Sequence, residues 1–472
     1  MSELLPNPLN LQALLGLAWL ALAAGVLSLI LLAGRRIGRR LNLRLWGVPE
    51  ALVAGLIGLL VAPSGALPLL PEHVMELWGG LPLVLLTLVF GSLMLGKPLP
   101  KLGGLWRPVS GQVSLALVLA FGQYVVGGLA VLLVLQPWLG VSPVMACLIE
   151  VAYEGGHGSA AAMGPSYAAL GFPGGQDLGL AMATVGLLSS TLVGGVVVVV
   201  GRQRGWLLAQ NQPASAPGAT PLAGSATESS APSQPAWAAW AAWAVNLALV
   251  GIAVLIGVGL LALLRLGTDA IGGGVAEVGR SLPVFPLAIV GSLLVRWLLE
   301  RSGNSRWASA PIQSEIGTLS ADLLITSATA CLNLALLAAD WLPLTVLAVA
   351  GLTWNLAVTL LLAPRLLPAD WFERAVLEFG QATGVAASGL LLLRMADPDD
   401  HSQALPAFSL KQLLLQPFLA GGVVTVVAPL AVAGWGLPTW TGFCLALVLL
   451  AGGGGLLLAQ AGRNTEPTAA HP

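Results

Sequence analysis

The sequence predicts an all-α, polytopic membrane protein. Of its 472 residues, 57% are hydrophobic and only 9% are charged, and the mean hydropathy is +0.88. A soluble domain carries about 25% charged residues. Long apolar runs recur along the whole chain, and most of them approach the ~20 residues that an α-helix needs to cross a bilayer. The runs do not alternate polar and apolar residues as the strands of a membrane β-barrel do.

Eleven apolar segments are predicted to span the membrane. They are expected at 10–33, 48–70, 79–96, 109–135, 178–201, 238–264, 282–299, 316–338, 342–363, 411–434 and 438–460. Cytoplasmic loops are enriched in Lys and Arg, which orients the chain. The loops after the first, third, fifth and seventh spans are basic, so these loops are expected in the cytoplasm and the N-terminus outside.

Two further segments, 141–170 and 372–396, are not expected to cross the membrane. Each has two short apolar arms around a polar, glycine-rich middle. An arm of about 13 residues is ~20 Å long as a helix, which is too short for ~30 Å of hydrocarbon. Both segments therefore predict re-entrant hairpins whose tips stop near mid-membrane.

The two halves of the chain share one order of elements. Residues 47–204 and 282–434 each contain three spans, a hairpin and a further span, but they begin on opposite sides of the membrane. This order predicts two inverted-topology repeats around a site near the midplane. The remaining segments are an N-terminal helix with a basic loop (1–46), a flexible cytoplasmic linker (205–236), a linking helix (237–281) and an extra C-terminal helix with its tail (435–472).

The hairpin middles contain residues that are costly in hydrocarbon, where an ionisable group costs at least ~2.5–3.5 kcal/mol. The first reads "EVAYEGGHGS" (150–159), and the second reads "GQATGVAASG" (380–389) just after Glu378. Glycines allow the chain to unwind. Freed carbonyl groups suit cations such as Na⁺, whereas freed N–H groups at helix N-termini suit carboxylates. Ser159, Gln381, Thr383 and Ser388 add neutral donors and acceptors. The combination predicts a sodium-coupled carrier of an organic acid.

Other interpretations of these residues stay open. Glu150 and Glu154 could be loop residues at the membrane surface. His157 could be a neutral histidine bonded to a carbonyl group, or a proton carrier. Asp322, in the eighth span, could cap a helix or pair within the bundle. A proton-coupled or exchanging carrier would use Glu150, Glu154 and His157 as its relay.

Other function classes lack a sequence signal. No P-loop and no G-x-S-x-G motif is present in the sequence, so neither ATP-driven transport within the chain nor enzymatic activity is expected. The net charge of −1 does not favour a nucleic-acid partner. A non-transporting membrane receptor or scaffold is a further alternative, although the linker is too short for a signalling domain.

Four stretches resemble the bacterial sodium/glutamate symporter family. They are "VPEALVAGLIGLL" (48–60), "GGHGSAAAMG" (155–164), "GLAMATVGLLSSTLVGGVV" (179–197) and "FGQATGVAASGLLLLRM" (379–395), in the order found in the family. The resemblance covers about 47–434. It implies Na⁺-coupled import of glutamate or a related small anionic amino or dicarboxylic acid across the plasma (inner) membrane, with no further cofactor. It also implies a homodimer and an elevator mechanism, in which a transport domain slides past a scaffold.

The resemblance assigns candidate binding residues to the two tips. Those for the substrate are Gly155, Gly156, His157, Gly158, Ser159, Gly380, Gln381, Thr383 and Gly384. The candidate Na⁺ ligands are Glu150, Asp322 and Ser388. The chain departs from the family pattern at Glu150 and Glu154, where neutral small residues are usual. It departs again at Thr425 and Ala428, where an acidic residue and an amide are usual. These departures concern the substrate and the number of ions more than the fold.

Overall fold

The computed structural model of the chain describes residues 8–43, 49–98, 106–208, 236–273, 276, 279–280, 282–368, 370–398 and 401–465. These residues form helices joined by turns, and none of them lies in a β-strand. The α-helices before residue 210 are α1 (Pro8–Arg40), α2 (Glu50–Val61), α3 (Glu72–Leu93), α4 (Trp106–Ala130), α5 (Leu148–Tyr153), α6 (Gly156–Ala162), α7 (Gly164–Ala169) and α8 (Gly175–Gln203). Helix α4 continues through a π-helical turn to Leu139.

The α-helices after residue 235 again include both long and short helices. They are α9 (Ala236–Ile271), α10 (Phe285–Arg301), α11 (Ala310–Ala330), α12 (Leu334–Ala339), α13 (Trp341–Ala357), α14 (Trp371–Thr383), α15 (Ala386–Ala396), α16 (Ala404–Leu415), α17 (Val423–Trp435) and α18 (Leu437–Thr465). Helix α13 continues through a second π-helical turn to Leu366. Most of the predicted linker, 209–235, lies outside the described residues.

Within the described ranges, seven helices are long and apolar enough to cross a membrane: α1, α3, α4, α8, α9, α13 and α18. This confirms the prediction of an all-α, polytopic membrane protein. Four of the eleven predicted spans do not form such helices. Helix α2 ends at Val61, shortly before Pro63, and α10 has only 17 residues. Helix α11 carries two acidic residues, and the predicted span 411–434 is broken in its middle.

The first predicted hairpin folds as a series of short helices, and the second folds as a pair of helices. The first begins with a 3₁₀-helix, Pro143–Cys147, and continues through α5, α6 and α7. The second consists of α14 and α15, which pack closely side by side because glycines face each other. A Cβ atom built on Gly380 would lie 2.4 Å from the Cα atom of Gly389. The depth of these segments in a membrane stays a prediction.

The helices pack as two groups. Helices α1, α2, α3, α9, α10 and α11 contact one another and form what we call the α3 group. The two hairpins pack with α4, α8, α13, α16, α17 and α18, which together form the α8 group. The groups meet where α6 of the first hairpin lies against α3 and α11. There, Gly158 leaves room for the side chains of Leu86 and Leu324.

The close approach of α14 and α15 predicts that Gly389→Ala destabilises the protein. A Cβ atom at Gly389 would lie 2.3 Å from the backbone oxygen of Leu377, which cannot rotate away. Overpacking of this kind costs about 1–3 kcal/mol. We expect a lower thermal unfolding midpoint for the purified protein in detergent. The matched control is Gly434→Ala in α17, where nothing lies within 4 Å; equal midpoints for the two variants would contradict the packing.

Candidate functional site

The tip of the first hairpin is a break between two short helices. Helix α5 ends at Tyr153, Glu154 and Gly155 form a turn, and α6 starts at Gly156. Gly156 has a φ angle of +70°, a left-handed conformation that favours glycine. Ser159 donates a hydrogen bond to the backbone oxygen of Gly155 at 3.0 Å. The glycines therefore provide the unwinding that the sequence predicted at this position.

The second tip is a similar break between α14 and α15. Helix α14 ends at Thr383, Gly384 follows with a non-helical backbone, and Val385 is extended. Two side chains from outside the hairpin bind this end. The amides of Gln123 and Asn355 donate to the backbone oxygen of Ala382 at 2.7 and 3.0 Å. Asn355 also donates to the hydroxyl group of Thr383 at 3.0 Å.

The two tips meet. A Cβ atom built on Gly156 of the first tip would lie 3.2 Å from Cγ1 of Val385 in the second. At Gly186 of α8, an added Cβ atom would lie 2.4 Å from the backbone oxygen of Thr383 and 2.6 Å from the ring of Tyr153. Helix α8 thus runs past both hairpins, and its small residues allow both to approach.

His157 contacts α8 as well. Its Nε2 atom lies 3.0 Å from the hydroxyl oxygen of Thr184. That hydroxyl group donates its own hydrogen to the backbone oxygen of Leu180 at 3.1 Å. It can therefore only accept from the imidazole, so Nε2 carries a proton. The structure agrees with the interpretation of His157 as a packed histidine, although its partner is a hydroxyl group.

A third break lies next to the tips. The predicted continuous span 411–434 is wrong, because α16 ends at Leu415 and α17 begins only at Val423. Pro417 lacks a backbone N–H group, and Ala420 and Gly421 have φ angles of +54° and +91°. A Cβ atom on Gly421 would lie 2.4 Å from the hydroxyl oxygen of Ser159. The stretch "QPFLAGG" carried this signal, since proline and paired glycines interrupt an apolar run.

Glu150 joins the first hairpin to α4 and α17. Its carboxylate is fully buried and accepts hydrogen bonds from the hydroxyl groups of Tyr124 at 2.5 Å and Thr425 at 2.8 Å. Thr425 in turn accepts from the backbone N–H of Gly421 at 3.0 Å. Glu150 and Thr425 are two of the positions where the sequence was expected to depart from the family pattern. A carboxylate of the first hairpin therefore lies beside α17.

Glu154 has a different environment. Its side chain is only 6% exposed, yet its Oε2 atom has no hydrogen-bond partner. It interacts electrostatically with Glu150, with Glu378 and with Lys411. Both glutamates of the first tip are therefore buried within the protein and are not exposed loop residues.

A buried ion pair lies near Glu154. Lys411 of α16 and Glu378 of α14 are each 1% exposed and bond directly. Gln112 donates to the second carboxylate oxygen of Glu378 at 2.7 Å. The ammonium group of Lys411 also donates to Gln412 at 2.9 Å and lies 4.5 Å from the ring centroid of Phe408. The sequence reasoning placed Lys411 at the start of a span and missed its role.

A row of glutamine amides connects the second tip to the third break. Gln412 donates to Gln381 at 3.4 Å and to Gln416 at 3.1 Å, and Gln416 donates to the backbone oxygen of Ala420 at 3.2 Å. Gln381 is 3% exposed. Ser388 is buried on the same hairpin, near Gly384. Carboxylate, hydroxyl, amide and backbone groups therefore lie close together inside the α8 group.

The carboxylate of Asp322 does not bond to the groups at the breaks. It accepts from Arg35 of α1 at 2.7 Å, and this ion pair connects two helices of the α3 group. The pairing agrees with the interpretation that Asp322 pairs within the helix bundle. Among the described residues, no three His, Cys, Asp or Glu side chains form a group that could hold a metal ion. A cation at the tips would therefore need hydroxyl or backbone oxygens besides the carboxylates.

Comparison with known proteins identifies a family that the chain matches. The family model described as "Sodium/glutamate symporter" matches residues 19–384. The matched region includes the first hairpin, α8 and the first arm of the second hairpin, and it stops at the second tip. No curated protein and no solved structure matches the chain.

The buried ion pair predicts an asymmetric response to substitution. Lys411→Met leaves the carboxylate of Glu378 buried without its cation, and breaking such a pair costs about 3–5 kcal/mol. The double variant Lys411→Met with Glu378→Gln removes both charges and should be clearly more stable than the single variant. The thermal unfolding midpoints of the single and double variants in detergent measure their stabilities. A double variant that is less stable than Lys411→Met alone would contradict the pairing.

Proposed function

The chain belongs to the sodium/glutamate symporter family, and we propose that it imports glutamate, or a related small anionic amino or dicarboxylic acid, together with Na⁺. The family implies a transporter and not an enzyme, and the apolar helices imply a multi-pass membrane protein. The observation that carries the proposal is the meeting of three helix breaks beside buried carboxylates. The membrane we propose is the plasma (inner) membrane.

The substrate would bind where the breaks meet. Helix α15 begins there, and the first N–H groups of a helix lack partners within it, whereas those of Val423 and Val424 in α17 already donate to the backbone oxygens of Pro417 and Phe418. Together with the helix dipole, the first N–H groups of α15 favour a carboxylate. Ser159, Gln381 and Thr383 lie at or next to these breaks, and we propose that they complete the binding of a molecule with two carboxylates.

The two packing groups support an elevator mechanism. We propose that the α3 group is the scaffold and that the α8 group, which contains both hairpins, is the transport domain. The two halves of the chain would be inverted repeats, and the scaffold would form the homodimer. In this arrangement the whole substrate site would move as one body, because both hairpins pack on α8 and only α6 also contacts the scaffold. The moving contact would be α6 against α3 and α11.

Uptake into proteoliposomes tests the proposed function. With the purified chain, an inward Na⁺ gradient should drive accumulation of labelled glutamate above equilibrium, and an equal K⁺ gradient should not. Liposomes without protein and a sodium ionophore are the controls. Competition by unlabelled dicarboxylates and neutral amino acids then defines the substrate class. Uptake that is the same with and without Na⁺, or that a pH gradient drives alone, would contradict sodium coupling.

The sliding contact predicts that a large side chain at Gly158 slows transport. A Cβ atom there would lie 2.9 Å from Cδ1 of Leu86 on α3. We expect Gly158→Leu to lower the uptake rate at least about tenfold, which corresponds to ~1.4 kcal/mol in the barrier.

Trimming the opposing side chain should restore part of this rate, so the double variant Gly158→Leu with Leu86→Ala is the specific test. Gly195→Leu in α8, whose nearest neighbour atom is 3.9 Å away, is the matched control. If the double variant is as slow as Gly158→Leu, the contact does not limit the motion.

A further inference from the structure

The charges around the first tip do not balance. Glu154 interacts electrostatically with two other carboxylates, those of Glu150 and Glu378, but with a single ammonium group, that of Lys411. Lys411 is already bonded to Glu378 and to Gln412. Among the described residues, no ion pair includes Glu150 or Glu154. Two carboxylates of this cluster therefore lack a cation.

The two carboxylates differ in what stabilises them. Glu150 accepts hydrogen bonds at both oxygens, from Tyr124 and Thr425, which offsets part of the cost of its burial. Glu154 is 6% exposed and its Oε2 atom bonds to nothing. A buried carboxylate without a partner is costly by several kcal/mol. This cost is removed either by a proton on Glu154 or by a cation next to it.

The position of Glu154 suits a cation that travels with the substrate. It lies at the C-terminal end of α5, four residues after Glu150 and two before the left-handed Gly156. The groups facing it are Glu150 on its own hairpin, Glu378 on α14 and Lys411 on α16. Carboxylate and backbone oxygens are hard ligands, which hold alkali and alkaline-earth cations in proteins.

We propose that Glu154 is a ligand for a Na⁺ ion that binds beside Glu150 at the first tip. This rests on the proposed function, since Na⁺ is there the coupling ion. The ion offsets the unpaired charge and thereby allows an anionic substrate to enter the same site. Asp322, which is paired with Arg35, takes no part in it.

Equilibrium binding of ²²Na⁺ to the purified full chain tests the proposal without using any substrate. Glu154→Gln keeps the size of the side chain and removes its charge. We expect the variant to lose one bound Na⁺ or to bind Na⁺ at least about tenfold more weakly than the wild-type protein. The rise in thermal unfolding midpoint on adding Na⁺ should shrink accordingly, because a bound ion stabilises the folded state.

Glu373→Gln is the matched control. Glu373 is also a buried glutamate, 1% exposed, with an unpartnered Oε2 atom, but it lies at the far end of the second hairpin, where its Oε1 atom accepts from the backbone N–H of Leu208. The Glu373→Gln variant should bind Na⁺ as the wild-type protein does. Glu154→Asp keeps the charge and should retain more Na⁺ affinity than Glu154→Gln.

Two outcomes would overturn the proposal. The first is ²²Na⁺ binding by Glu154→Gln that equals that of the wild-type protein and the control. The second is uptake driven by a pH gradient without Na⁺ that Glu154→Gln abolishes, because the bound cation would then be a proton. If the wild-type protein binds ²²Na⁺ through Glu154 but does not carry glutamate, the proposed function fails and the ion site stands.

Discussion

A helix that breaks inside a membrane leaves N–H and C=O groups that lipid cannot satisfy, and the rest of this structure depends on that constraint. The chain meets it by placing three breaks together, at Glu154–Gly155, at Gly384–Val385 and between α16 and α17. Neighbouring side chains then form hydrogen bonds with the groups at the breaks. Gln123 and Asn355 satisfy the end of α14, while Thr425 binds both the amide of Gly421 and the carboxylate of Glu150.

The same arrangement explains why charged residues are present in so apolar a chain. Lys411 and Glu378 pair where the second hairpin packs on α16. Glu150 is stabilised by two hydroxyl groups, whereas Glu154 keeps an unpartnered oxygen. Because all four lie in the α8 group, a cation bound among them would move with the substrate site. Coupling would then follow from charge balance at one place in the proposed transport domain.

Hydropathy and glycine placement were sufficient to predict the helical membrane class and the broken segments around 150–159 and 380–389. They were not sufficient for the third break. The apolar residues on both sides of "QPFLAGG" made 411–434 resemble one span, although Pro417 and Gly421 carried the signal. Partners distant in sequence could not be predicted at all. The contact of Glu150 with Thr425 and the pairing of Asp322 with Arg35 join residues more than 270 positions apart, and only the packing of helices decides them.

The central claim is that one site at the tips binds both an anionic substrate and Na⁺. Two ligands at one site must influence each other equally, because linkage between binding free energies is reciprocal. The most direct measurement is therefore the affinity of the purified protein for labelled glutamate at several Na⁺ concentrations, paired with its affinity for ²²Na⁺ at several glutamate concentrations. We expect each ligand to raise the affinity of the other by the same factor. Affinities that do not depend on the other ligand would contradict a shared site.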